Sequence, residues 1–206
     1  MKRRDERGIT LVEATIVLTV AAILAAAAAP IASRTLDRAK LARAVDDAKA
    51  IKTAIDNMIA EINFTPFTTT GTNGGTAIQM LVSDGDIPRT LGAGGDAQWD
   101  DPVNPAAAQP VDFLESHLVT NTPGYNTNGA NAWRGAYINA PIDPDPWGNR
   151  YAVNTLHLRT TTANDVFVLS VGPDEEINTA FSINGATPGG DDIIAVVRRD
   201  PGRTVP

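Results

Sequence analysis

"RGITLVEATIVLTVAAILAAAAAPI", Arg7 to Ile31, decides the fold. Ala14 to Ala32 is a run of 19 residues without a charge, close to the shortest helix that crosses a bilayer. Glu13 stands at the head of this run, where a carboxylate in an apolar medium is costly without a partner. Gly8 precedes it by five residues. Three readings fit the segment: a secretory signal cut near the alanines at 25–29, a membrane anchor, or a buried helix of a soluble domain. Alanine is weakly apolar, so an anchor of this composition is marginal if it stands alone.

Working outward, residues 1–8 carry Lys2, Arg3, Arg4 and Arg7 against Asp5 and Glu6, a net +2, which leaves about −9 for the rest of the chain. A positive start retained in the cytoplasm and an acidic body carried across fit this asymmetry. It argues against nucleic acid as a partner, which needs a basic stripe. The chain of 206 residues has no cysteine, so an exported domain is held without disulfides, and a bound cation is an alternative staple.

Helical periodicity continues past Pro30. Leu41, Val45, Ala48, Ile51, Ile55, Met58, Ile59 and Ile62 recur at spacings of three and four, along one stripe. Arg34, Arg38, Arg43, Asp46, Lys49, Lys52 and Asp56 lie mainly elsewhere, and Asp46 and Asp47 read as surface. The second half of this helix is expected to pack on its own domain, whereas the first half needs a membrane or other subunits. Pro30 predicts a kink, a local break, or a joint between two helices.

From residue 63 the composition turns to Thr, Gly and Asn. Residues 77–88 are expected to form a short helix and turn, 89–110 a loop, and Val111 to Val119 a short helix with Phe113, Leu114 and Leu118 inward. Strands are expected within residues 135–141, 151–158 and 165–171, and at Ile193 to Val197. Residues 159–165 read as a hairpin connection, and "DPDPWGNR" (143–150) as a dense turn. The expected class is α+β: a long N-terminal α-helix packed on a small antiparallel β-sheet.

Gly8-Ile9-Thr10-Leu11-Val12-Glu13 before a long apolar helix resembles the class III signal of type IV pilins and type II secretion pseudopilins. The resemblance implies cleavage between Gly8 and Ile9 by a prepilin peptidase and N-methylation of Ile9. It also implies assembly roles for Glu13, which pairs with the new amino group, and for Pro30, where the helix loosens. "WRGAYINAPIDPDPWGNRYAV", Trp133 to Val153, looks like the segment that marks the major, general secretion pathway protein G-like pseudopilin. Gly135, Tyr137, Asp145, Pro146, Trp147, Gly148 and Tyr151 match that pattern, while Ala136 and Arg150 stand where prolines are usual. "DVFVLSVGPDEE" (165–176) and "GGDDI" (189–193) resemble two loops that enclose calcium in that family. Asp174, Asp191 and Asp192 are then candidate side-chain ligands, with backbone carbonyls near Leu169 to Val171 completing the shell and Ser170 as a further candidate, and the oxygen-rich set suits Ca2+. Equally, Asp, Gly and Pro in such loops are plain turn formers.

The resemblance implies a leader at 1–8, a membrane-spanning helix at 9–32, its periplasmic half at 33–62, a variable loop-rich region at 63–132, a C-terminal sheet with calcium loops at 133–200, and a tail at 201–206. It implies a non-enzymatic, single-pass inner-membrane protein with a periplasmic C-terminal domain. Its partners would be further copies in a filament, minor pseudopilins, the prepilin peptidase and an inner-membrane assembly platform. Alternatives are a pilin of a surface fibre and a secreted binding domain. No other chemistry is marked: His117 and His157 lack zinc spacing, Ser170 lacks a nucleophile elbow, and "GTNGG" and "GAGG" lack a phosphate-binding lysine.

Overall fold

The computed structural model describes residues 10–62, 67–72, 74–95, 97–99, 110–139, 141–158, 164–185 and 187–198. The leader with Gly8 and Ile9, most of the 159–165 connection and the 201–206 tail lie outside the described residues.

Helix α1 spans Leu11–Ile62 without a break, and Pro30 lies inside it. The break or joint expected at Pro30 is therefore absent. One backbone hydrogen bond is lost there, and the flanking alanines are the strongest helix formers. The chain divides into two compact units, Met1–Lys40 and Leu41–Pro206.

In the first unit the helix surface is apolar and uncovered. Leu11, Val12, Ile16, Val17, Leu18, Val20, Ile23, Leu24 and Ile31 are all more than half exposed. This is the one described helix long and apolar enough to cross a membrane. Its threonines are satisfied internally: Thr15 Oγ1 donates to the Val12 carbonyl at 2.8 Å and Thr19 Oγ1 to the Thr15 carbonyl at 2.7 Å. Such back-bonding removes the cost of a free hydroxyl in an apolar medium.

In the second unit the same helix presents a buried stripe, Ala44, Ala48, Ile51, Ala54, Ile55, Met58 and Ile62. The periodicity identified most of it, but Leu41 is 41% exposed and Ala44 is buried instead. Five short strands follow: β1 (Met80–Val82), β3 (Val111–Phe113), β4 (Ala152–Val153), β5 (Val166–Ser170) and β7 (Ile193–Arg198) form one sheet in the order β3-β1-β4-β5-β7. Strands β2 (Thr90–Leu91) and β6 (Glu176–Ile177) pair separately, in parallel. Helix α2 (Leu114–Leu118) follows β3 directly.

The layout is α+β, as expected, but the sheet is mixed and not antiparallel throughout. Met80 pairs with Val111 and Val82 with Phe113 in parallel register. Residues 80–82, expected in a helix, form a strand inside the sheet. Val111–Phe113 is extended, and Phe113 is 53% exposed, contrary to its expected inward role. Gly135–Pro141 contains no strand among its described residues, and only Ala152 and Val153 of 151–158 are extended before a 3₁₀ turn at Thr155–Leu158.

The sheet is buried on both faces, which explains why all of β5 is buried. Leu81, Val153, Val166 and Val168 meet the α1 stripe. Met80, Val82, Ala152, Phe167 and Leu169 face a second core built around Trp99, Ile177 and Phe181. Strand alternation produces this split directly. Trp99 is fully buried, its indole edge-on to Phe181, and its Nε1 donates to the Thr179 carbonyl at 2.8 Å. The 63–132 region thus supplies strands β1, β2 and β3, helix α2 and the anchor of the second core, where short helices and loops were expected.

Candidate functional site

At the head of α1, Thr10 Oγ1 accepts the Glu13 backbone N–H at 3.2 Å, and the Thr10 carbonyl accepts Ala14 N–H at 3.0 Å. Thr10 is therefore the N-cap and Glu13 the third helical residue, the spacing of a capping box. Glu13 lies in the first turn, where the positive end of the helix favours a carboxylate. T-x-x-E before an apolar run is the sequence signal for this cap. The Glu13 side chain is exposed, and so is Pro30, whose carbonyl accepts Ser33 Oγ at 3.1 Å.

In the second unit Asp145 organises the Asp-Pro-Trp-Gly turn. Its Oδ1 accepts the N–H groups of Trp147 at 3.0 Å and Asn149 at 2.9 Å, and its Oδ2 accepts Ser170 Oγ at 2.8 Å. Gly148 N–H returns to the Asp145 carbonyl at 2.9 Å, closing a turn with Pro146 at its second position. Gly148 has φ +98°, a conformation that favours glycine. Burial raises the Asp145 carboxyl while these donors lower it, and burial wins. Tyr151 is wholly buried, and its hydroxyl reaches Asp47 Oδ2 on α1 at 3.3 Å. Asp47 also pairs with Arg43, so it is more than surface. Similarly, Tyr137 OH donates to Glu61 Oε2 at 2.7 Å, and burial together with that carboxylate pushes the phenol up to about 12.

The two acidic loops come together beyond β5 and before β7. Asp192 is buried, and its Oδ2 accepts the N–H groups of Asn178 at 2.9 Å and Thr179 at 2.6 Å. Asp191 Oδ2 accepts Asp174 N–H at 3.3 Å, and Asp174 Oδ1 accepts Glu176 N–H at 2.9 Å. Burial pushes Asp192 up to about 6, with the charge of Asp174 adding to the rise. Burial raises Asp191 too, and a shared hydrogen bond with Asp174 raises it further. Asp191 Oδ1 and Asp192 Oδ1 are buried oxygens without a hydrogen-bond partner.

That donor chemistry fits a hard cation, which would accept the orphaned oxygens and relieve the crowded charge. The described residues contain no metal-binding set of three or more His, Cys, Asp or Glu, so side chains alone do not complete a shell. Leu169 and Ser170 end β5 opposite Ile194 and Ile193, and the Ser170 hydroxyl is taken by Asp145.

Sequence reasoning missed the role of "GAGG". Virtual side chains at Gly92, Gly94, Gly189 and Gly190 would each meet Asn178 at under 3.0 Å. Glycines from two distant segments thus close on the loop that carries Asn178, whose Nδ2 donates to Asp174 Oδ2 at 3.1 Å. The histidines are structural partners: His117 is buried between Tyr125 OH at 2.6 Å and Asp112 Oδ2 at 3.1 Å. The His117 hydrogen bond holds the Asp112 carboxyl below the usual range.

Residues 3–29 match the family model described as the prokaryotic N-terminal methylation motif. No curated protein and no solved structure matches the chain. The match covers the N-terminal segment alone, and it is a motif of the type IV pilin-like kind. Together with the apolar helix, the match is consistent with a single-pass membrane anchor.

Proposed function

We propose that this chain is a structural subunit of a type II secretion pseudopilus. The observation that carries the reading is the uncovered apolar helix headed by Glu13 inside the methylation motif. The apolar surface leaves lipid for an equally apolar core of neighbouring copies, so little is gained from burial alone. The gain comes from packing and from Glu13, which finds the ammonium of Ile9 on an adjoining subunit in a medium where an unpaired carboxylate is expensive. Small alanines let neighbouring backbones approach closely.

The Asp145–Tyr151 turn, with its buried carboxylate, and the joined acidic loops favour a pseudopilin over a pilin of a surface fibre. In this reading Asp174 and one of Asp191 and Asp192 hold Ca2+ with backbone carbonyls completing the shell, and the ion staples the loops of a domain without disulfides. Inner-membrane assembly proteins and minor pseudopilins are the remaining partners.

The test is deletion of this gene from its host, followed by two assays. Loss of export of folded enzymes with surface fibres intact is the expected result. Loss of surface fibres with export intact contradicts the pseudopilus and assigns the chain to a pilus.

A further inference from the structure

Between Ala14 and Lys40 the one acidic residue is Asp37, while Arg34, Arg38 and Lys40 stand close together at the end of that stretch. Residues 33–40 carry a net +2, three cations against one carboxylate. Arg34 and Arg38 are exposed and Lys40 partly so, and none of the three makes an ion pair among the described residues. Further along the same helix Arg43, Lys49 and Lys52 each meet an aspartate. Lysine and arginine beyond a membrane span oppose transfer of that side, so an unpaired group of them there needs an explanation.

We propose that Arg34 and Arg38 bind the phosphate of an anionic phospholipid in the leaflet farther from Glu13. The helix is unbroken from Leu11 to Ile62, so Arg34 lies about 31 Å along the axis from Glu13 at about 1.5 Å per residue. A hydrocarbon core is about 30 Å thick, so Glu13 at one boundary sets Arg34 at the other. Arg34 and Arg38 are four residues apart and share one face of the helix. Helical side chains lean toward the N-terminus, which here turns both guanidinium groups back toward the bilayer. Ile31, 68% exposed, precedes them on that face, and the arginine stems continue its apolar surface.

The hydroxyls at this boundary are already taken. Ser33 Oγ donates to the Pro30 carbonyl at 3.1 Å and Thr35 Oγ1 to the Ile31 carbonyl at 2.9 Å. The guanidinium groups are left to recognise a ligand, and their forked N–H donors match the oxygens of a phosphate. Choline or ethanolamine headgroups partner their own phosphate with a cation, so a net-anionic lipid fits best. A second copy packed alongside in the same register fits less well, because its matching stretch offers Asp37 alone against three cations. The alanine-rich span is a weak anchor, and a headgroup held at its far end offsets that weakness. The inference rests on α1 as a membrane anchor and holds equally for a pseudopilin or a pilin.

The test places the full chain in nanodiscs of phosphatidylcholine and phosphatidylglycerol in equal amounts and counts the lipids that stay bound by native mass spectrometry. Phosphatidylglycerol is expected to be retained in preference. That preference should fall about fivefold for each of Arg34→Gln and Arg38→Gln, the weight of one cation near an anionic surface. Circular dichroism shows whether each variant keeps its helix. A preference unchanged in the helical double variant belongs to the basic leader and overturns the inference. So does its loss on adding inorganic phosphate, which would make this a site for a soluble anion. A chain that enters phosphatidylcholine nanodiscs but shows no lipid preference sinks the inference alone. One that enters no nanodisc sinks the membrane anchor as well.

Discussion

Ser170 Oγ donates to Asp145 Oδ2 at 2.8 Å, tying the end of β5 to the Asp-Pro-Trp-Gly turn. The turn's geometry and its attachment to the sheet therefore depend on one buried carboxylate. Asp145→Ala strands the N–H groups of Trp147 and Asn149 and the Ser170 hydroxyl. We expect a loss of about 3 kcal/mol in denaturant unfolding, since each orphaned buried group costs about 1–3 kcal/mol. Asp145→Asn retains one acceptor oxygen and should cost less than Asp145→Ala. The reverse order would show that packing, not hydrogen bonding, holds the turn.

The acidic loops should respond to pH in a defined direction. Asp192 titrates near 6 when folded, above its ordinary value of 3.8. Its charged form is thus disfavoured by folding above pH 6, and that penalty is relieved as pH falls from 6 toward 4. Asp191, raised by burial and by Asp174, acts in the same sense. In chelator the Tm should rise on acidification from pH 7 to 5, and Asp192→Asn should flatten the rise. A Tm that falls equally in both proteins contradicts this assignment.

Calcium should reverse that sensitivity. An ion that binds only the folded state raises Tm with concentration. Excess Ca2+ at pH 7 is expected to raise Tm in the parent chain but not in the double variant Asp191→Asn, Asp192→Asn. Equal Tm in Ca2+ and chelator removes the ion from the account.

Gly172 couples the two loops. Its φ is +71°, and a Cβ there would lie 2.6 Å from the Asp191 carbonyl oxygen. Gly172→Ala combines a left-handed backbone with a backbone clash, each costing about 1–3 kcal/mol. The expected signature is a lower Tm together with loss of any Ca2+ response.

The sequence made α1 legible because three-four spacing survives from Ala48 to Ile62 and each matching side chain is at least partly buried. Strands β5 and β7 were legible as apolar runs between turn residues. Strand β1 was not: Met80–Val82 is too short for periodicity, and its parallel pairing with Val111 is a distant event. Trp99 looked like a loop residue because its partners, Phe167 and Phe181, are far along the chain. The acidic loops could be found from their residue types, but the glycines that close around Asn178 could not. Their role is a close approach between segments, which no local pattern encodes.

The central claim is that Glu13 and the apolar helix remain in the mature protein and serve assembly. Intact-mass spectrometry of the protein purified from its host membrane tests it most directly. The account predicts a chain that begins at Ile9 and carries one added methyl group on its amino terminus. A mature chain beginning near Pro30, with Glu13 and the apolar helix removed, would contradict it.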